Sequence, residues 1–159
     1  MLIVRNRQRV RPLNTKLLRK IVRVLLVEEL SRDDFEIAIS IIAKEAMTRM
    51  NEGFLRHKGS TDVITFDYAD ASRPKCLAGE IFVCLDEALV QAPRFRVSWQ
   101  DELVRYVVHG ILHLSGYDDK TASARRKMKR EENRLMHRFA SRYKLEQMNT
   151  TRHGKTVTK

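Results

Sequence analysis

The sequence predicts one mixed fold in which four short strands are interleaved with about five helices. Three observations carry this. Segments with strand character recur at residues 2–5, 34–40, 62–68 and 79–85, and stretches with apolar residues three or four apart separate and follow them. Finally, 159 residues that are 43% hydrophobic supply the material for one core and no more.

LIVR, residues 2–5, reads as a strand. Pro12 and Asn14 then prepare a helix, with Asn14 as its N-cap and Leu17, Leu18, Ile21, Val22, Leu25 and Leu26 as a broad apolar stripe. DFEIAIS alternates, so Phe35, Ile37, Ile39 and Ile41 share one face, the period of a strand. Ala43, Met47, Met50 and Phe54 define a second helix. After the breaker KGS, DVITFDY is rich in β-branched and aromatic residues, and a polar loop through Pro74 leads to the strand GEIFVCL. Helical spacing resumes from Asp86 and breaks around Ala92 and Pro93. Ser98 reads as the N-cap of a helix through WQDELVRYVVHGILHLS. Residues 121–146 predict a last long helix with Met128, Leu135, Phe139 and Tyr143 inward. From Gln147 onward the chain is polar and basic without periodicity, which predicts one domain over 1–146 and a disordered tail over 147–159.

Lys and Arg number 31 against 20 Asp and Glu, a net charge of +11, so the field attracts polyanions: RNA, DNA or an anionic membrane. The opening MLIVRNRQRV is too short and too interrupted by arginine for a signal-peptide core, and no segment approaches the roughly 18 apolar residues of a membrane span. A cytoplasmic protein without membrane contact is expected. Cys76 and Cys84 form no CxxC pair, which argues against a disulfide framework or a cysteine zinc site. No heptad pattern marks an oligomer interface, so a monomer is expected.

The stretch HGILHLSGYDD, residues 109–119, carries the chemistry. Four residues advance a helix by about one turn, so His109 and His113 stand one above the other, about 6 Å apart. Gly116 can end the helix in a left-handed conformation and turn the chain back, and Asp119 can then offer a carboxylate to the same ion. The spacing is that of a metzincin-type site with Asp as third ligand, and two imidazoles with one carboxylate leave a fourth position open on zinc. HExxH peptidases place their general base directly after the first histidine, where this chain has Gly110. The ligands are present without the peptidase base.

HGILHLSGYDD resembles the HGxLHLxGYDH signature of the bacterial YbeY family, metal-dependent endoribonucleases of ribosomal RNA maturation and ribosome quality control. MNEGFLRHKGSTDVITF is similar to the family's segment of an asparagine, a variable stretch and TDVLSF, and AGEIFVCLDEA to its GDIxIS strand. The resemblance covers nearly all of residues 1–146. It implies an α+β fold, a small, mixed, mostly parallel sheet of about four strands packed by about five helices, with one zinc ion at the end of the central helix that bears both histidines. It carries over His109 and His113 as ligands. The family usually has histidine where this chain has Asp119, whose carboxylate cancels one more unit of the metal's charge. Four residues on from Asn51 the family has a functional arginine, and this chain has Leu55. Arg56 and His57, directly beside it, are therefore the candidates for the missing positive or proton-carrying group.

The function implied is a zinc-dependent, single-strand-specific endoribonuclease in ribosomal RNA maturation, at the 3′ end of 16S rRNA. Arg5 and Arg7 in the N-terminal segment, with Arg125, Arg126 and Lys127 on the last helix, are the expected phosphate contacts, which grip RNA without reading sequence. The competing expectation is a ribosome-associated RNA-binding factor with a mainly structural metal, and it rests on the altered positions Asp119 and Leu55. A peptide hydrolase is disfavoured by Gly110.

Overall fold

A computed structural model describes residues 1–150. Four strands, β1 (Leu2–Asn6), β2 (Phe35–Ile42), β3 (Val63–Asp67) and β4 (Leu77–Cys84), form one sheet in the order β1-β2-β4-β3. β1 and β4 both pair parallel to β2, and β3 runs antiparallel to β4 at the edge. Five α-helices pack around it: α1 (Thr15–Val24), α2 (Lys44–Phe54), α3 (Leu85–Gln91), α4 (Trp99–Leu114) and α5 (Ala122–Arg142). The expected α+β class, the mostly parallel sheet and the number of helices are all present. Among the described residues, no helix is long and apolar enough to cross a membrane.

Local chemistry sets the boundaries. Asn14 caps α1 by accepting from the Leu17 amide at 3.0 Å, as its position predicts, and α1 runs on into a π-helical turn over Leu25–Glu29. Ser98 and Asp101 close a reciprocal capping box at the start of α4. The break expected near Pro93 is a 3-10 turn over Ala92–Phe95, which ends at Arg96 with a left-handed φ of 55°. Thr121 starts α5 by accepting from the Ala124 amide.

One face of the sheet carries the main core, where Ile39, Ile81 and Val83 meet α1, α3 and α4 at no more than 1% exposure. The other face has a smaller cluster of Ile42, Met47, Ile64 and Cys84 beneath α2. α5 lies on the far side of α4, which is thus the central helix, packed between the sheet and α5. Gly110 lets it approach: a Cβ there would stand 2.8 Å from Ile81 Cγ2 and 3.2 Å from Thr65 Oγ1. A side chain at this position, a glutamate included, would have to displace Ile81 and Thr65 and so would carry a packing cost.

Regular structure continues past Glu146, where a disordered tail was expected to start. Leu145–Met148 form a 3-10 turn with Leu145 and Met148 buried, and the Met148 carbonyl accepts from the Asn14 amide at 2.8 Å. Two apolar side chains spaced for one short turn outweigh the polar residues between them, a signal too brief to show as periodicity. The rest of the expected tail, 151–159, lies outside the described residues.

Candidate metal centre

The last turns of α4 present both histidines on one stripe, as their spacing requires. Gly116, at φ +100°, reverses the chain beyond the helix and brings Asp119 back over it. The result is a three-residue group whose ligand atoms all lie within 4.8 Å of one another. His109 Nε2 and His113 Nε2 are 3.0 Å apart, and Asp119 Oδ2 is 3.7 Å from His113 Nε2.

The outer nitrogens explain why the inner ones point inward. His109 Nδ1 lies 2.7 Å from Glu132 Oε2 on α5, and His113 Nδ1 lies 3.1 Å from the Tyr117 carbonyl. Each acceptor takes a proton from Nδ1, which leaves both Nε2 atoms as lone-pair donors. Two lone pairs facing each other at 3.0 Å repel unless a cation lies between them, so the donor set suits a metal ion.

Glu132 is 5% exposed and is held by more than the histidine. Arg105 Nη1 lies 3.3 Å from its Oε1 and Lys129 Nζ 4.0 Å from the same oxygen. Burial pushes the Glu132 carboxyl up, but the hydrogen bond from His109, with Lys129 and Arg105, outweighs it and holds the group below its usual range. The Asp119 side chain is half exposed, and its backbone carbonyl accepts from Arg125 Nη1 at 3.1 Å, which ties the turn to α5.

Two recesses share this group. One, of about 420 Å³, opens toward β3 and is lined by Leu55, Asp62, Thr65 and Asp67 beside the histidines. The other, of about 670 Å³, runs between α4 and α5 past Glu102, Arg105, Tyr106 and Lys129. Glu102 is 5% exposed, and burial pushes its carboxyl up, against the pull of Arg105, Tyr106 and Lys129. Burial likewise raises the Tyr106 hydroxyl, with the Glu102 charge adding to it.

His109, His113 and Asp119 are therefore brought together, with Arg125 beside them. Arg126 and Lys127 are exposed along α5, with Lys127 Nζ 5.6 Å from the centroid of the Tyr117 ring. Arg5 and Arg7 are exposed in and just beyond β1, at the opposite sheet edge from β3. After α2, Leu55 is the residue that lines the smaller recess. Arg56, with a left-handed φ of 55°, and His57 are exposed beyond it, and the His57 amide donates to the Asn51 carbonyl at 3.1 Å. Asn51, 3% exposed, staples this loop by donating to the Gly59 carbonyl at 2.9 Å.

Sequence reasoning missed Glu132, Arg105 and Glu102. The last two carry a legible signal, since Glu102, Arg105, Tyr106, His109 and His113 recur three or four apart on α4. Glu132 carries none, because it meets His109 only through the packing of two helices.

A family model described as "Endoribonuclease YbeY" matches residues 3–140. Proteins named Endoribonuclease YbeY are similar to this chain. That of Bacteroides thetaiotaomicron is 39% identical over 101 residues, 64% of this chain and 72% of the relative. That of Chlorobium phaeovibrioides is 37% identical over 123 residues, 75% and 78% of the two chains. That of Azobacteroides pseudotrichonymphae is 30% identical over 129 residues, 81% and 90%. The solution structure of a Thermotoga maritima protein shares the fold, with a TM-score of 0.61 at 23% identity over 98% of this chain and 99% of that one.

Proposed function

The chain belongs to the YbeY endoribonuclease family, and from that premise we propose that it is a metal-dependent endoribonuclease of ribosomal RNA processing, with zinc as the metal. The observation that carries the proposal is the pair of Nε2 atoms converging at 3.0 Å while both Nδ1 atoms face oxygen acceptors. Nitrogen ligands at about 2.0–2.1 Å on a tetrahedral zinc ion stand roughly 3.3 Å apart, close to this spacing. His109, His113 and Asp119 would hold the ion and leave its fourth position open. When bound, zinc supplies Lewis-acid stabilisation of charge on phosphoryl oxygen and makes water nucleophilic near neutral pH.

The protein's own groups do the rest. Glu132 and the Tyr117 carbonyl fix both rings in one tautomer and orientation. Arg125 stands beside the ligands as a cation for phosphate, and Arg126 and Lys127 extend that charge along α5. Arg5 and Arg7 would engage a more distant stretch of a long RNA. His57, with Arg56 next to it, is the proposed proton carrier, two residues along the loop from Leu55, which lines the smaller recess. The substrate is single-stranded ribosomal RNA at the 3′ end of 16S rRNA. The domain acts as a cytoplasmic monomer within ribosome maturation and quality control.

Metal content by elemental analysis tests this directly. About one zinc per chain is expected, lost in the His109→Ala, His113→Ala pair and weakened in Asp119→Ala, while His113→Ala should bind RNA but not cleave it. If chelation instead lowers thermal stability and RNA binding together while cleavage by His113→Ala persists, the metal is structural and the RNA-binding reading replaces this one.

A further inference from the structure

The recess of about 670 Å³ between α4 and α5 contains a feature that phosphate binding does not use. Glu102 lines it at 5% exposure, and among the described residues no cation lies within ion-pair distance of its carboxylate. A buried carboxylate without a salt bridge is unfavourable unless hydrogen-bond donors reach it. Its first-turn position on α4 gives it the helix dipole, which rewards an acidic group there whether it is exposed or buried. The dipole therefore accounts for the residue type and not for its burial against an open recess.

Tyr106 offers one donor, and a carboxylate accepts more, so the surroundings define what would supply the rest. The Tyr106 ring and Met128 form apolar walls, the Tyr106 hydroxyl stands toward Glu102, and Phe95, 64% exposed, is at the rim with Val97. Arg105, Arg125 and Lys129 line the end toward His109. Glu102 and His109 are seven residues apart on one helix face, about 10.5 Å along the axis. One nucleotide spans such a distance from its phosphate to the far edge of its base. The recess is thus cationic beside the metal ligands and largely apolar and aromatic in its walls, with Glu102 as its buried acceptor and Asp62 and Gln91 also in its lining.

We propose that this recess is a base-recognition subsite of the RNA site, in which Glu102 accepts hydrogen bonds from the Watson–Crick edge of a base flanking the cleaved bond. The inference rests on the nuclease reading above. Guanine presents N1–H and an amino group side by side and matches a carboxylate bidentately. Cytosine and adenine present one amino group each, and uracil flanks its single N–H with two acceptors that a carboxylate repels. The order is guanine first, then cytosine and adenine, then uracil. Phe95 is placed to stack on the base.

The test is sequencing of cut sites in a randomised single-stranded RNA pool treated with the zinc-loaded full chain and its Glu102→Gln variant. The same two proteins are titrated with the four nucleoside 5′-monophosphates by NMR. At one fixed position beside the cut, guanine should exceed uracil by about tenfold, the lower part of the range for a bidentate contact, and Glu102→Gln should bring the ratio within twofold. GMP should shift resonances of Glu102 and Phe95 at lower concentration than UMP. Cleavage by the parent chain with no base preference at any flanking position overturns the subsite and leaves the nuclease reading standing. No cleavage by the parent chain defeats the nuclease reading; the monophosphate order then decides the subsite, and equal affinities for GMP and UMP overturn it.

Discussion

Replacing Glu132 probes whether the second helix of the site, and not the ligand motif alone, gives the centre its metal affinity. The His109 Nδ1 to Glu132 Oε2 contact is 2.7 Å long and involves a carboxylate that is almost wholly buried. A hydrogen bond to a charged group contributes about 1.5–3 kcal/mol. Loss of a comparable carboxylate partner to a metal-bound histidine weakens affinity about 10–100-fold, or roughly 1.4–2.8 kcal/mol at 1.4 kcal/mol per tenfold. The two routes agree. Glu132→Gln keeps an oxygen that can accept from Nδ1, so about a tenfold loss is expected. Glu132→Ala removes the acceptor and leaves Arg105 without its ion partner, so the loss should approach a hundredfold. Competition for zinc against a chromophoric chelator measures both, with His109→Ala as the reference for losing a ligand outright. If both variants bind one zinc within twofold of the parent affinity, Glu132 does not orient His109 and the reasoning fails.

Three further outcomes follow from contacts described above. Gly110→Ala places a Cβ against Ile81, where overpacking costs about 1–3 kcal/mol, more than the ~1 kcal/mol helix gain, so Tm should fall by several degrees in a thermal melt. An unchanged or raised Tm would show that α4 can shift freely. His57→Ala should keep its zinc and lose cleavage rate, and unchanged kinetics would return His57 to an ordinary loop residue. Burial raises the folded-state pKa of Glu102, so the parent loses stability as pH rises through that value. Glu102→Gln should therefore melt higher than the parent at pH 7, with the difference vanishing below about pH 4, where the parent carboxyl is also protonated. A difference independent of pH would contradict this.

What the sequence made legible was whatever is local. Alternation in FEIAI, the caps at Asn14 and Ser98, and the four-residue histidine spacing are each set within a few residues, and each appears in the structure where expected. The pairing of His109 with Glu132 and the burial of Glu102 were not legible, because both arise where α4 meets α5 or a recess and no short-range pattern encodes them. The same holds for Leu55. Counting from Asn51 identified the position, but only the fold shows that this residue lines the recess while Arg56 and His57 lie exposed beyond it.

Asn14 does two jobs at once. Its Oδ1 starts α1 by accepting from the Leu17 amide, and its Nδ2 donates to the carbonyl of Gln147, 133 residues later. The first contact forms as soon as a short segment of chain exists, and the second requires nearly all the described residues to be in place. Loop-closure entropy makes such a distant contact a late event in folding. During synthesis, α1 therefore stays only half anchored until residue 148 is free to dock, after Glu132 and the rest of α5 have already been made. Docking of this last described turn thus couples the first helix to residues more than 130 positions downstream, so the two ends of the described fold lock together in one step.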